Sequence, residues 1–181
     1  MRHLARLVLA TLLFVAPAVH ALEVGQPAPD FSLAGSDGKT YRLADFTGKR
    51  GFVLAWFPKA FTSGCTAELE DLRDAAAAIA TYDAAVFMVS LDPPETNAEF
   101  AKSLESKHVL LSDPTGETAK AYGVSGLGGL FAKRWTFYID PDGIVRKIDK
   151  NVSTSTAGQD IARTLEELGY VTRNGRQFLL R

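Results

Sequence analysis

Seven consecutive residues, Gly51 to Phe57, carry no charge and no side-chain hydroxyl or amide. The run is short for a helix and has the length of a strand. A strand that is apolar at every position buries both faces, so structure must cover its sheet on each side. That condition points to an α/β architecture. With 181 residues, 46% of them hydrophobic, the chain can fill one such domain.

The flanking patterns agree. Phe31-Ser32-Leu33 and Thr40 to Leu43 alternate apolar with polar around Asp37-Gly38, which predicts a β-hairpin. Ala85 to Leu91 predicts a second buried strand, Val109 to Leu111 a short one, and Trp135 to Ile139 a third core strand. Asp140-Pro141-Asp142-Gly143 turns the chain into a fourth, Ile144 to Ile148. Helical patterns fall at about Cys65–Thr81 and Pro94–Ser106. A third helix, capped by Asp113 or Thr115, runs through Ala121 and stops at Gly123. A last helix, capped by Ser153 or Ser155, ends near Leu168-Gly169, and the residues from Tyr170 to Arg181 form a short extension with no assigned structure. This order gives a mixed central sheet flanked by helices and fits a thioredoxin-like fold.

The first 21 residues stand apart from that domain. Arg2, His3 and Arg6 precede an apolar run from Leu7 to Val15, and Val19-His20-Ala21 supplies small residues for cleavage. This is the pattern of a signal peptide (residues 1–21), and the apolar run is shorter than the roughly 20 residues a membrane helix needs. The expectation is a mature domain 22–181, exported and periplasmic, with no membrane attachment after cleavage; the alternative is an uncleaved membrane anchor. Charge adds an exclusion: 20 basic against 21 acidic residues leave no basic excess for nucleic acid.

Export sharpens the meaning of the cysteine count. The chain has one cysteine, Cys65, so no internal disulfide can form. Past the signal segment only His108 remains among the histidines, too few for a Cys/His metal cluster. No metal and no cofactor are expected.

Cys65 follows the loop Pro58-Lys59-Ala60-Phe61-Thr62-Ser63-Gly64, at the carboxyl end of the apolar strand and the start of a helical pattern. In open α/β sheets function gathers at that edge. A free thiol, with a pKa of about 8.5, is mostly protonated at neutral pH, and the first turn of a helix stabilises the anion through unpaired amides. The Thr62 hydroxyl, three residues earlier, can return toward the sulfur, and Pro58 offers no N–H and helps exclude water. Attack on an O–O bond also needs a cation for the departing oxygen. Arg134, just before the third core strand, is the candidate, and Glu68, one helical turn after Cys65, can hold its guanidinium.

The spacing Pro58…Thr62…Cys65 resembles the signature of the peroxiredoxin (AhpC/TSA) family, and Phe57 to Glu68 looks like its bacterioferritin-comigratory-protein, or PrxQ, branch. Gly25 to Leu33, Leu111 to Glu117, Ala119 to Val124 and Arg134 to Asp140 resemble further family segments, so the likeness covers roughly residues 23–168. It implies a thiol-dependent peroxidase acting on hydrogen peroxide or small organic hydroperoxides in antioxidant defence. Cys65 would be the peroxidatic cysteine, Pro58 and Thr62 would shape its pocket, and Arg134 would pair with the sulfur. Many members of the branch carry a second cysteine five residues on; here that position is Glu70. The chain therefore resembles the one-Cys variety, whose sulfenic acid needs an external thiol reductant. A monomer or homodimer is expected.

Other classes fit less well. A redox-silent thioredoxin-like binding domain has no use for Pro58, Thr62, Cys65 and Arg134 together. A thiol–disulfide oxidoreductase would have cysteine where Thr62 stands. Copper delivery lacks paired cysteines, and nothing places His108 near Cys65 as the base of a hydrolase. Trp56 and Trp135 read as packing residues, and His108 as incidental to a polar connection.

Overall fold

A computed structural model describes residues 22–170. The expected signal segment and the residues after Tyr170 lie outside the described residues.

Seven strands form one sheet: β1 (Ser32–Gly35), β2 (Thr40–Arg42), β3 (Gly51–Trp56), β4 (Ala84–Ser90), β5 (Val109–Ser112), β6 (Thr136–Ile139) and β7 (Val145–Asp149). Their order is β2-β1-β5-β4-β3-β6-β7. The central trio β5-β4-β3 is parallel, and antiparallel pairs extend it on both sides. Parallel neighbours need crossovers, supplied by α1 (Ser63–Asp74) with α2 (Ala76–Ile79) between β3 and β4, and by α3 (Pro94–Ser103) between β4 and β5. Two more helices complete the fold, α4 (Glu117–Ala121) and α5 (Ala157–Glu167).

Every residue of β3 is buried, as its composition demands. Its alternating side chains feed two separate cores. Phe52, Leu54 and Trp56 join Phe31, Phe46, Phe87, Tyr122 and Phe137 on one face. Val53, Ala55 and Phe57 face α1, α3 and α5, meeting Cys65, Leu69, Leu72, Phe100, Ile161 and Leu165.

Helix boundaries differ from the sequence expectations in instructive ways. The single helix expected over Cys65–Thr81 starts earlier, at Ser63, and is interrupted at Ala75, where ψ is −2°. There α5 crosses: a β-carbon on Gly158 would lie 2.6 Å from the Asp71 carbonyl and 2.7 Å from Ala75 Cβ, so only glycine admits this approach. The contact is also a cap. Asp71 Oδ2 accepts the Gly158 amide at 2.7 Å, stabilising the start of α5 with a carboxylate from another helix. The residue preceding α5 is Thr156, in place of the expected Ser153 or Ser155. α3 ends at Ser103, before the expected Ser106, because Glu105 takes a positive φ of 51°. α4 follows Gly116, yet the expected Asp113 still holds the helix by accepting the Ala119 amide at 2.7 Å. The fourth core strand is shifted by one residue, and Asp140 organises its turn by accepting the Asp142 and Ile144 amides.

Candidate functional site

β3 ends at Trp56, and the chain leaves the sheet through Pro58 to Thr62 before α1 begins. Thr62 is the last extended residue (φ −86°, ψ 150°), so Cys65 is the third residue of the helix. The amides of this first turn have no intrahelical acceptor. Cys65 is fully buried.

The segment leading into β6 brings a guanidinium to it. Arg134 Nη2 stands 3.3 Å from Cys65 Sγ, while Nη1 donates to Glu68 Oε2. Cys65 and Glu68 lie three residues apart on one face of α1, and Arg134 bridges them from 69 and 66 residues away. Glu68 is 2% exposed and the Arg134 side chain 20%. A carboxylate held so far from water requires its partner, and the rigid fork fixes the second guanidinium nitrogen on the sulfur. The arrangement sets a permanent cation directly against the sulfur.

Thr62 and Pro58 sit on the same loop but with different contacts. Pro58 is half-buried. The Thr62 hydroxyl donates to the Lys59 carbonyl at 3.0 Å and not to the sulfur, which leaves the other expected role, holding an incoming oxygen, open to its lone pairs. The cause is local: the turn presents the carbonyl three residues back to the hydroxyl. Between them Phe61 adopts φ +62°, uncommon for a residue with a β-carbon. Its ring lies 5.1 Å from that of Phe100 although more than half of the residue is exposed.

Sequence reading missed what anchors this loop. The Ala60 amide donates to Asp92 Oδ2 at 2.9 Å, and the same oxygen accepts the Ser90 hydroxyl at 2.9 Å. Ser90 is in turn bonded to Asn97, fully buried, whose amide also reaches the Leu111 carbonyl and the Ser112 hydroxyl. The loop carrying Cys65 is thus tied to the carboxyl ends of β4 and β5. Ser90-Leu91-Asp92, polar at the end of an apolar strand, was the available signal. His108 is not incidental either. A ring nitrogen lies 3.0 Å from the Leu72 carbonyl, and burial pushes the imidazole below its ordinary pKa. Trp56 is buried as expected, and Trp135 lies between the ammonium groups of Lys133 and Lys150, 4.9 and 4.4 Å from its ring.

The chain is similar to known proteins over most of its length. Residues 24–148 match the AhpC/TSA family. Peroxiredoxin Bcp of Bacillus subtilis is 34% identical over 153 residues, which span 81% of this chain and 97% of that protein. Alkyl hydroperoxide reductase E of Mycobacterium tuberculosis is 37% identical over 127 residues, 69% of this chain and 83% of that one. The crystal structure of peroxidoxin BcpB from Mycobacterium tuberculosis superposes with a TM-score of 0.73 at 33% identity, covering 82% of this chain and 99% of its own. With the family match over residues 24–148 and relatives more than 30% identical along most of their length, the chain belongs to the AhpC/TSA family.

Proposed function

We propose that the chain is a thiol-dependent peroxidase that reduces hydrogen peroxide or small organic hydroperoxides through Cys65. The observation that carries this reading is the guanidinium of Arg134, 3.3 Å from Cys65 Sγ and fixed by Glu68. The thiolate attacks one peroxide oxygen, the S–O bond forms as the O–O bond breaks, and Cys65 becomes a sulfenic acid. The electron pair leaves on the second oxygen, where Arg134 stabilises the developing charge until a proton converts it to water or an alcohol. Pro58 and Thr62 shape the approach, and Thr62 keeps its hydroxyl lone pairs for an incoming O–H. Arg134, with a fifth of its side chain in solvent, marks the side from which peroxide arrives.

The chain has no second cysteine, so turnover draws on an external thiol. One thiol condenses with the sulfenic acid, releasing water and forming a mixed disulfide, and a second thiol releases Cys65. The N-terminal pattern supports export, cleavage after residue 21 and work in the periplasm by domain 22–181. N-terminal sequencing of the protein recovered from its native host tests the cleavage. For the activity, purified protein consumes peroxide with dithiothreitol as reductant, and Cys65→Ser abolishes consumption. Equal consumption by both proteins would refute the proposal.

A further inference from the structure

Between α4 and β6 the chain leaves two leucines almost wholly in solvent. Leu127 is 86% exposed and Leu130 82%, with Phe131 beside them at 40%. A single exposed leucine is ordinary, but three neighbouring apolar side chains at one tip mark a contact surface. The segment that carries them is firmly built. Val124 and Ala132, both fully buried, root it in the aromatic core. The Lys133 amide donates to the Val124 carbonyl at 2.7 Å and the Gly126 amide to the Phe131 carbonyl at 2.8 Å, which closes a hairpin. Gly128 and Gly129 turn its tip at φ +66° and +72°. The Phe131 ring lies over Gly126, where a β-carbon would sit 2.5 Å from Cε2. Such a turn calls for the glycines but not for the leucines.

The charge beside the tip has one sign. Lys133 closes the hairpin and Lys150 follows β7, their ammonium groups 4.9 and 4.4 Å from the ring of half-buried Trp135. Neither lysine has a carboxylate partner among the described residues. No acidic residue occurs from Thr118 to Ile139 or from Lys150 to Gln159. Asp149 pairs with Thr136 and lies on the other face of the sheet, where its charge acts on Tyr138. Asp30, Asp113 and Glu117 line a separate cleft around the start of α4. A projecting apolar tip with a cationic base matches an anionic lipid surface, since acyl chains accept apolar side chains of any outline. A second copy of this chain matches poorly, because a two-fold contact would set the same lysines against one another.

We propose that this hairpin docks the protein reversibly on anionic lipid bilayers. Leu127, Leu130 and Phe131 enter the boundary between headgroups and acyl chains, Lys133 and Lys150 meet the headgroups, and Trp135 lies at their level. No helix among the described residues is long and apolar enough to cross a membrane, so this contact is peripheral. It revises the expectation that the mature domain has no membrane attachment, and it stands independently of the peroxidase reading. So few side chains give weak binding, half-maximal at about 0.1–1 mM lipid.

An environment-sensitive fluorophore on Leu127→Cys, in a Cys65→Ser background of the full chain, reports on the tip alone, whatever residues 1–21 contribute. Titration with phosphatidylglycerol vesicles is expected to shift its emission to the blue, at lipid concentrations roughly tenfold or more below those needed with phosphatidylcholine vesicles. Leu130→Ser in the labelled protein weakens the response about fivefold or more. Lys133→Gln with Lys150→Gln removes most of the preference for anionic lipid. In the unlabelled chain Leu130→Ser leaves peroxide consumption in solution unchanged, so docking and peroxidase activity are read separately. No shift, or an equal shift with both lipids, would overturn the proposal. So would a dimer in lipid-free buffer that Leu130→Ser dissolves, which would assign the tip to a second copy.

Discussion

The two faces of β3 are built from the same strand but solve different problems. On one, Phe52, Leu54 and Trp56 pack against a layer rich in aromatic rings, with Phe46 5.3 Å and Phe31 6.0 Å from Phe52, and Tyr122 6.1 Å from Trp56. Apart from the Trp56 indole N–H, which has no partner among the described residues, and the Tyr122 hydroxyl, which donates to the Pro29 carbonyl, that face is dominated by hydrophobic burial. On the other, the smaller Val53 and Ala55 let α1 settle closely, and the helix brings in a thiol and a buried carboxylate. A buried ion pair adds little stability over apolar packing and costs much when broken. The contrast assigns stability mainly to the first face and chemistry to the second.

Separating those roles by substitution tests the contrast. The largest effect is expected from Glu68→Ala, which removes the carboxylate that fixes Arg134. Peroxidase kcat/KM falls on the order of a hundredfold, and the protein loses about 3 kcal/mol of stability by leaving a cation unpaired. Steady-state kinetics and urea unfolding read both. Leu54→Ala, on the other face, costs a similar 2–5 kcal/mol in urea unfolding while the rate per folded molecule stays at the wild-type value. A loss of rate there would erase the distinction between faces.

A smaller effect is expected at Asp92. Asp92→Ala strips the Ala60 amide and Ser90 hydroxyl of their acceptor, so kcat/KM drops about tenfold with about 1 kcal/mol of stability lost. Asp92→Asn, which keeps an acceptor oxygen, recovers part of the rate. The smallest concerns His108, bonded to the Leu72 carbonyl of α1. Burial lowers its pKa in the folded state, so as pH falls through about 6.5 the unfolded chain takes up a proton that the folded one resists. Stability therefore declines below that pH and levels off under the folded value. His108→Gln flattens this part of the pH–stability curve, as thermal unfolding across the range shows.

Which parts of this were legible in the sequence follows from distance along the chain. The strand at Gly51–Phe57, the hairpin at Asp37-Gly38 and the turn at Asp140–Gly143 declare themselves through local composition, and all three form. The thiol and its loop are contiguous, so Cys65, Thr62 and Pro58 could be read together. Arg134 and Glu68 needed the family resemblance as well as charge logic, since 66 residues separate them. The partners of Asp71 and Asp92 could not be read: Gly158 and Ala60 offer backbone amides 87 and 32 residues away, and an amide leaves no mark in a sequence. The break at Ala75 was hidden by an alanine run that favours continuous helix until α5 crosses it. For Thr62, spacing gave reach toward the thiol side but not the direction of the hydroxyl, which points to the Lys59 carbonyl.

The central claim is that one guanidinium makes an otherwise ordinary buried thiol reactive toward peroxide. Its most direct test is the single-turnover rate of Cys65 thiol loss on adding one equivalent of hydrogen peroxide, compared between wild type and Arg134→Gln. Rapid oxidation to the sulfenic acid in the wild type is predicted, with a fall on the order of a hundredfold or more in the variant. Equal rates in the two proteins, or a wild-type rate no faster than that of a free cysteine, would contradict it.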